Sequence, residues 1–192
     1  MLSSEEIQEY EYIIQDLSDE FMEIDPYCIS GIYSVLKTVV KTLKGINCSI
    51  KEVLRIQLAA HQFLADITAC GGEVNKKVQN LINAIQDIIE TTKAIVGISE
   101  SVCANGADET DKATRGKVVD GIKSSHKCAV NMLRKLTKLS RQIRYALKLI
   151  AQIKNVPGDT SKCVLDAVNT LEVYFNDFVP NIKSCSKLPS IN

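Results

Sequence analysis

The 192-residue chain has no tryptophan, four prolines and nine glycines, and aromatic residues make up only 5% of it. Gly and Pro this scarce exclude fibrous and low-complexity chains, and 45% apolar residues exclude a disordered one. No stretch reaches 18 apolar residues, because Asp87, Glu90 and Lys93 interrupt the greasiest region. No transmembrane segment is therefore expected. The opening Met1-Leu2-Ser3-Ser4-Glu5-Glu6 is acidic where a signal peptide has a basic region, so none is read there. The chain is then either cytosolic or a mature secreted protein whose leader a start Met replaces. The 23 basic residues balance 23 acidic ones, and zero net charge argues against a nucleic-acid partner.

Sites for chemistry are scarce too. No Cys-x-x-Cys pair points to zinc or dithiol redox work. Asp108-Glu109-Thr110-Asp111 lacks the spacing and glycine of a calcium loop. The two histidines are His61 and His126. His126 and Cys128 stand about 200° apart around a helix, so they do not form a nucleophile and base pair. No catalytic residue, metal site or cofactor is expected.

What is present is helical periodicity. Apolar residues recur every three or four positions, and alternating runs are rare. The spacing predicts an all-α, disulfide-linked antiparallel bundle of about six helices in one domain over 1–192. The helices are expected at about 4–22, 29–44, 49–70, 73–99, 109–154 and 160–177, followed by an irregular tail over 178–192. Gly45 and Gly71-Gly72 read as helix stops. Ser49 and Glu52 read as a capping box, and Asp159 or Thr160 as the cap of the last helix. The expected core includes Leu36, Val53, Phe63, Leu81, Ile85, Leu136, Ile143, Leu171 and Phe175.

Seven cysteines, at 28, 48, 70, 103, 128, 163 and 185, lie mostly near predicted helix boundaries. An intact helix holds Cys48 and Cys70 roughly 30 Å apart, and Cys28 and Cys48 about 25 Å apart. A disulfide needs Cα atoms within about 7 Å. Neither sequential pair can form. In an up-and-down bundle Cys28, Cys70 and Cys163 fall near one end and Cys48, Cys103 and Cys185 near the other, with Cys128 part-way along the long helix. Bridges are expected within an end set or with Cys128, leaving one thiol over. So many boundary cysteines favour an oxidising compartment. Asn47-Cys48-Ser49 also matches the N-glycosylation pattern.

Charge is segregated behind the zero sum. Residues 1–25 hold nine acids and no Lys or Arg, whereas residues 121–158 hold nine bases and no acid. Lys127, Arg134, Arg141 and Lys148 recur every seven residues, and Lys138 joins them on one side of the long helix. This face is either solvated, or paired with the first helix, or a docking stripe for an acidic partner such as a glycosaminoglycan, an anionic lipid surface or a receptor.

A resemblance begins at Leu136-Thr-Lys-Leu-Ser-Arg-Gln-Ile143 and Leu147-Lys-Leu-Ile150. It continues through Val156-Pro-Gly-Asp-Thr-Ser-Lys-Cys163, Asp166-Ala-Val-Asn-Thr-Leu171, Phe175, Phe178, Pro180 and Asn181-Ile-Lys-Ser-Cys185. Over about its last 60 residues the chain resembles a family of small secreted, cysteine-containing helical proteins of flies and mosquitoes. The resemblance implies secretion, disulfides and action by binding, and it supplies no catalytic residues. Among blood-feeding relatives it points to a salivary factor that stimulates host neutrophils. The expected function is thus a secreted, non-enzymatic salivary-type effector that binds host immune cells or proteins. One alternative is an extracellular carrier of lipids or other small hydrophobic ligands. A second is an intracellular helical adaptor with reduced cysteines.

Overall fold

Apolar stripes at helical spacing need a partner face, and the chain supplies one for each. The computed structural model describes residues 26–103 and 124–187. Five α-helices lie among these residues: α1 (Pro26–Val39), α2 (Leu43–Cys70), α3 (Lys76–Ile98), α4 (His126–Asn155) and α5 (Lys162–Ser186). A π-helical turn, Ser99–Cys103, prolongs α3, and a 3-10 turn, Pro157–Asp159, joins α4 to α5. There is no strand among the described residues. The expected helix over 4–22 and the 109–123 part of the expected long helix lie outside them.

Several boundaries differ from the sequence expectation, each for a local reason. The break expected at Gly45 comes earlier, at Val40–Thr42. Thr42 is extended, and its Oγ1 accepts from the Gly45 N–H at 3.0 Å, so Thr42 rather than Ser49 caps α2. Ser49 is instead buried inside α2, donating to the Ile46 carbonyl. Gly45 is not a stop but a point of close approach: a Cβ there would lie 2.0 Å from the Val39 carbonyl oxygen. At the other end of α2 the expected stop is present. Gly71 and Gly72 have φ of 68° and 76°, and the Gly71 N–H donates to the Thr68 carbonyl. Asn75 caps α3 and also donates to the Asp159 carbonyl, tying the α2–α3 turn to the α4–α5 turn.

The expected continuous helix over 109–154 is interrupted. Ser124 and Ser125 are not helical, and α4 starts at His126 with Ser125 accepting from the Cys128 N–H. Ser124 donates from its N–H to the Lys41 carbonyl and from its hydroxyl to the Val40 carbonyl, which pins this start to the α1–α2 corner. Ser161, not Asp159 or Thr160, caps α5. The tail expected to be irregular from 178 is helical to Ser186, with exposed Pro180 inside it. An interior proline removes a backbone hydrogen bond and costs about 3 kcal/mol. Buried Phe178, Ile182 and Cys185 continue the apolar stripe across it and offset that loss.

α2 lies chiefly against α5, and α3 chiefly against α4. Contact between α2 and α3 joins the two pairs, and α1 packs across α5 with smaller contacts to α4. Phe63 on α2 and Phe175 and Phe178 on α5 are fully buried, as are Leu81, Ile85 and Ile88 on α3 and Met132 and Leu133 on α4. The nine core residues named from the sequence are all buried. Ile32, Leu64, Val74, Ile82 and Leu147 are half-buried at the margin.

Three disulfides close the helix ends. Cys48–Cys185 joins the start of α2 to the end of α5, with Cα atoms 5.6 Å apart. Cys70–Cys163 joins the end of α2 to the start of α5 at 5.8 Å. These two helices therefore run in opposite directions. Cys103–Cys128 joins the turn after α3 to the first turn of α4 at 4.8 Å. Two bridges thus fall within the end sets and the third uses Cys128, leaving Cys28, in α1, as the odd cysteine. Cys128 is not part-way along its helix as expected, because α4 begins at His126.

Two tests follow from this frame. Gly45→Ala should lower stability by about 2 kcal/mol or more, since backbone must move. Gly97→Ala, with nothing within 4 Å of the added Cβ, should leave stability unchanged or raise it by about 0.5–1 kcal/mol. Urea titrations of both variants check the opposite signs. For the bridges, separations of 137, 93 and 25 residues give chain-entropy stabilisations of at most about 5, 4.6 and 3.5 kcal/mol. Graded reduction with mass mapping should open Cys70–Cys163 first. Cys163 is exposed and Cys70 half-buried, whereas Cys103 and Cys128 are both buried.

Candidate functional site

The surface most unlike its surroundings is the outer side of α4. One side of this helix supplies core residues, among them Met132, Leu136, Leu139, Ile143 and Ile150. The rest carries eight Lys and Arg and no acid over thirty residues. Lys127, Arg134, Lys138 and Lys148 are exposed. Arg141 is half-buried and makes a contact of its own. Lys127 to Lys148 spans about 32 Å at 1.5 Å per residue. A seven-residue step falls about 20° short of two turns, so the row drifts slowly around the helix.

Tyr145 belongs to this row and was not singled out from the sequence. It is 55% exposed and lies eighteen residues after Lys127, five whole turns, at the same angle around the axis. The signal was present: Tyr145 is seven residues after Lys138, in the register that relates Lys127 to Arg134. On the α3 side the row is bordered by acids. Asp87 and Glu90 line an open cleft with Thr91, Lys135, Lys138 and Gln142.

A second concavity, of about 170 Å³, lies between α2 and α5. Ala59, Phe63, Ala167 and Leu171 line it together with Leu58, which is 71% exposed, and Tyr174. The Arg55 guanidinium stands 5.1 Å from the Tyr174 ring centroid and 3.6 Å from the Asp177 carboxylate. Asn181 donates to Glu52 at 2.8 Å. These contacts tie α2 to α5 at the surface and contribute little individually.

The remaining candidates are dispersed. Cys128 is bridged and so offers half-buried His126 no thiol, and His61 is exposed on α2. Among the described residues no three His, Cys, Asp or Glu are grouped to hold a metal ion. No helix among them is long and apolar enough to cross a membrane. Asn47 is exposed, but its sequon lies within α2, with Cys48 bridged and the Ser49 hydroxyl buried and engaged.

Scans of protein-family models and searches of curated proteins and of solved structures found no match to this chain.

Charge reversal on the α4 row provides a clean perturbation. Arg134→Glu and Lys138→Glu together should change unfolding free energy by no more than about 0.5 kcal/mol each, because both side chains are exposed and away from the core. Equal melting curves for variant and parent check this.

Proposed function

We propose that this protein is a secreted, non-enzymatic effector that acts by binding, of the insect salivary type, on host immune cells or proteins. Its form is a single antiparallel helical domain, and its contact surface is the basic side of α4, which suits an acidic partner. The observation that carries this reading is the triple bridging of helix ends. Disulfides persist in oxidising compartments and are rare in reducing ones. The bridges thus favour an extracellular protein over an intracellular adaptor with reduced cysteines. Phe63, Phe175 and Phe178 are buried, and the concavity between α2 and α5, of about 170 Å³, is smaller than the roughly 300–1,000 Å³ of ligand pockets, which favours action at the surface over carriage of a hydrophobic ligand. The resemblance over the last 60 residues supplies the salivary context.

Two measurements on full-length oxidised protein test the proposal. Thiol titration after unfolding, on protein from its natural source, should find one reactive thiol per chain; seven would reject the extracellular reading. Labelled protein should bind blood neutrophils saturably and stimulate them, as read by flow cytometry and oxidative burst. Absence of binding to every leukocyte class would reject the effector reading.

A further inference from the structure

We infer that the α4 row binds a linear sulfated polysaccharide, a glycosaminoglycan chain laid along the helix over Lys127, Arg134, Lys138, Tyr145 and Lys148. The inference rests on the reading of the protein as an extracellular binder and names the acidic partner's chemistry. The shape of the charge argues first. Exposed cations step along one axis at intervals of about 10, 6 and 15 Å, with Tyr145 in the longest gap. A linear polyanion repeats its sulfates and carboxylates along one axis and meets such a row end to end. Arg134 can engage a sulfate with two N–H donors, while the lysines act as point charges.

Tyr145 argues second. An exposed aromatic ring in a row of cations gives the apolar face of a pyranose ring a flat surface, and its hydroxyl stays wet. Preorganisation argues third. The Cys103–Cys128 bridge lies beside Lys127, and Ser124 anchors the start of α4 to the α1–α2 corner. The start of the row is therefore anchored before a ligand arrives, which lowers the entropy lost on binding.

Other acidic partners fit less well. A helix that lies on an anionic bilayer inserts its apolar face, but the apolar face of α4 is in the core. A flat membrane would also meet Asp87 and Glu90 beside the row. Protein interfaces have charge-depleted centres in which lysine is scarce, whereas this row is centred on charge. Single-stranded nucleic acid is read by successive aromatic platforms, and Tyr145 stands alone among the cations.

The test uses the full oxidised chain with heparin-derived oligosaccharides of graded length, by calorimetry at several salt concentrations. Affinity should rise with length until the oligosaccharide spans about 32 Å, then level off. Four exposed cations should give a log–log salt slope of about −3. Arg134→Glu with Lys138→Glu should weaken binding at least about tenfold. The milder Arg134→Gln with Lys148→Gln should weaken it measurably and lower the slope by about one to two. Tyr145→Ser should weaken binding about three- to tenfold with the slope unchanged. Parent-like binding by the reversed variant would overturn the inference, as would equal binding of phosphatidylserine vesicles or of a single-stranded oligonucleotide of matched charge. If heparin binding fails while neutrophil binding persists, the polysaccharide assignment falls and the effector reading stands. If heparin binding follows the variants while neutrophil binding is absent, the assignment stands and the effector reading falls.

Discussion

α2 is bonded to α5 at both of its ends, and the two spans between the bonds are equal. Cys48 and Cys70 are 22 residues apart, and so are Cys163 and Cys185. At 1.5 Å per residue each span is about 33 Å, so two straight helices running in opposite directions meet both bridges without sliding. A slip of one residue would displace one end by about 1.5 Å, a large fraction of the tolerance of a disulfide. The closed rectangle sets the register in which Phe63, Phe175 and Phe178 pack. It also explains the helical course through Pro180. Were α5 to stop there, Cys185 would not arrive opposite Cys48 in the same register. The bridge and the burial of Ile182 hold the last turn against a residue that disfavours it.

The second helix pair is held differently. α3 and α4 share one bridge, and the far side of α4 is open to solvent. Its inner residues are consumed by the core, so its outer chemistry is not constrained by packing. That freedom is where the sequence departs from mixed charge. The neutral total of the chain is a balance between an acidic segment over residues 1–25 and a basic one over 121–158, not an even distribution. Attraction between exposed charges fades beyond a Debye length of about 8 Å at physiological salt. Among the described residues, Asp87 and Glu90 stand beside the α4 row, and Glu172 of α5 pairs with Lys154 at 2.9 Å.

Apolar periodicity made the helices and their inward faces legible, because burial of those faces dominates the free energy and each helix repeats the signal several times. Helix ends carry no such repetition. Each depends on one side chain accepting one backbone N–H, and Ser, Thr, Asn and Asp near an end compete for that role. Thr42 prevailed over Ser49 because the chain turns tightly enough at Val39–Gly45 to require a residue without Cβ at Gly45. Ser161 prevailed over its two neighbours because the Pro157–Asp159 turn occupies the residues before it. The sorting of cysteines to helix ends followed from the predicted boundaries, an up-and-down order and the rise per residue. The helix through Pro180 did not, because the equal spacing of the two bridged pairs has meaning only once the pairing is known. Tyr145 was missed because the charge pattern was read without its aromatic, and an exposed tyrosine on a helix leaves no trace in apolar periodicity.

The composition of α4 is not explained by the stability of the helix. Oppositely charged side chains four residues apart contribute about 0.2–0.5 kcal/mol per pair, and like charges at that spacing lose a similar amount. Arg134 with Lys138, and Arg144 with Lys148, are like pairs of this kind. A single Glu at position 131 or 152 would stand four residues from Lys127 and Lys135, or from Lys148, yet Asn131 and Gln152 are neutral. Eight bases over thirty residues with no acid among them therefore give up several small stabilising pairs. The Cys103–Cys128 bridge, with at most about 3.5 kcal/mol from a 25-residue loop, is a contribution on the scale of that loss. This helix forgoes cheap internal pairing and is held by a covalent bond at the end where its cationic row begins; Lys127, Arg134, Lys138 and Lys148 are exposed, whereas Lys154 pairs with Glu172 of α5. The proposed recognition of an external anion would account for a composition that the stability of the helix does not explain.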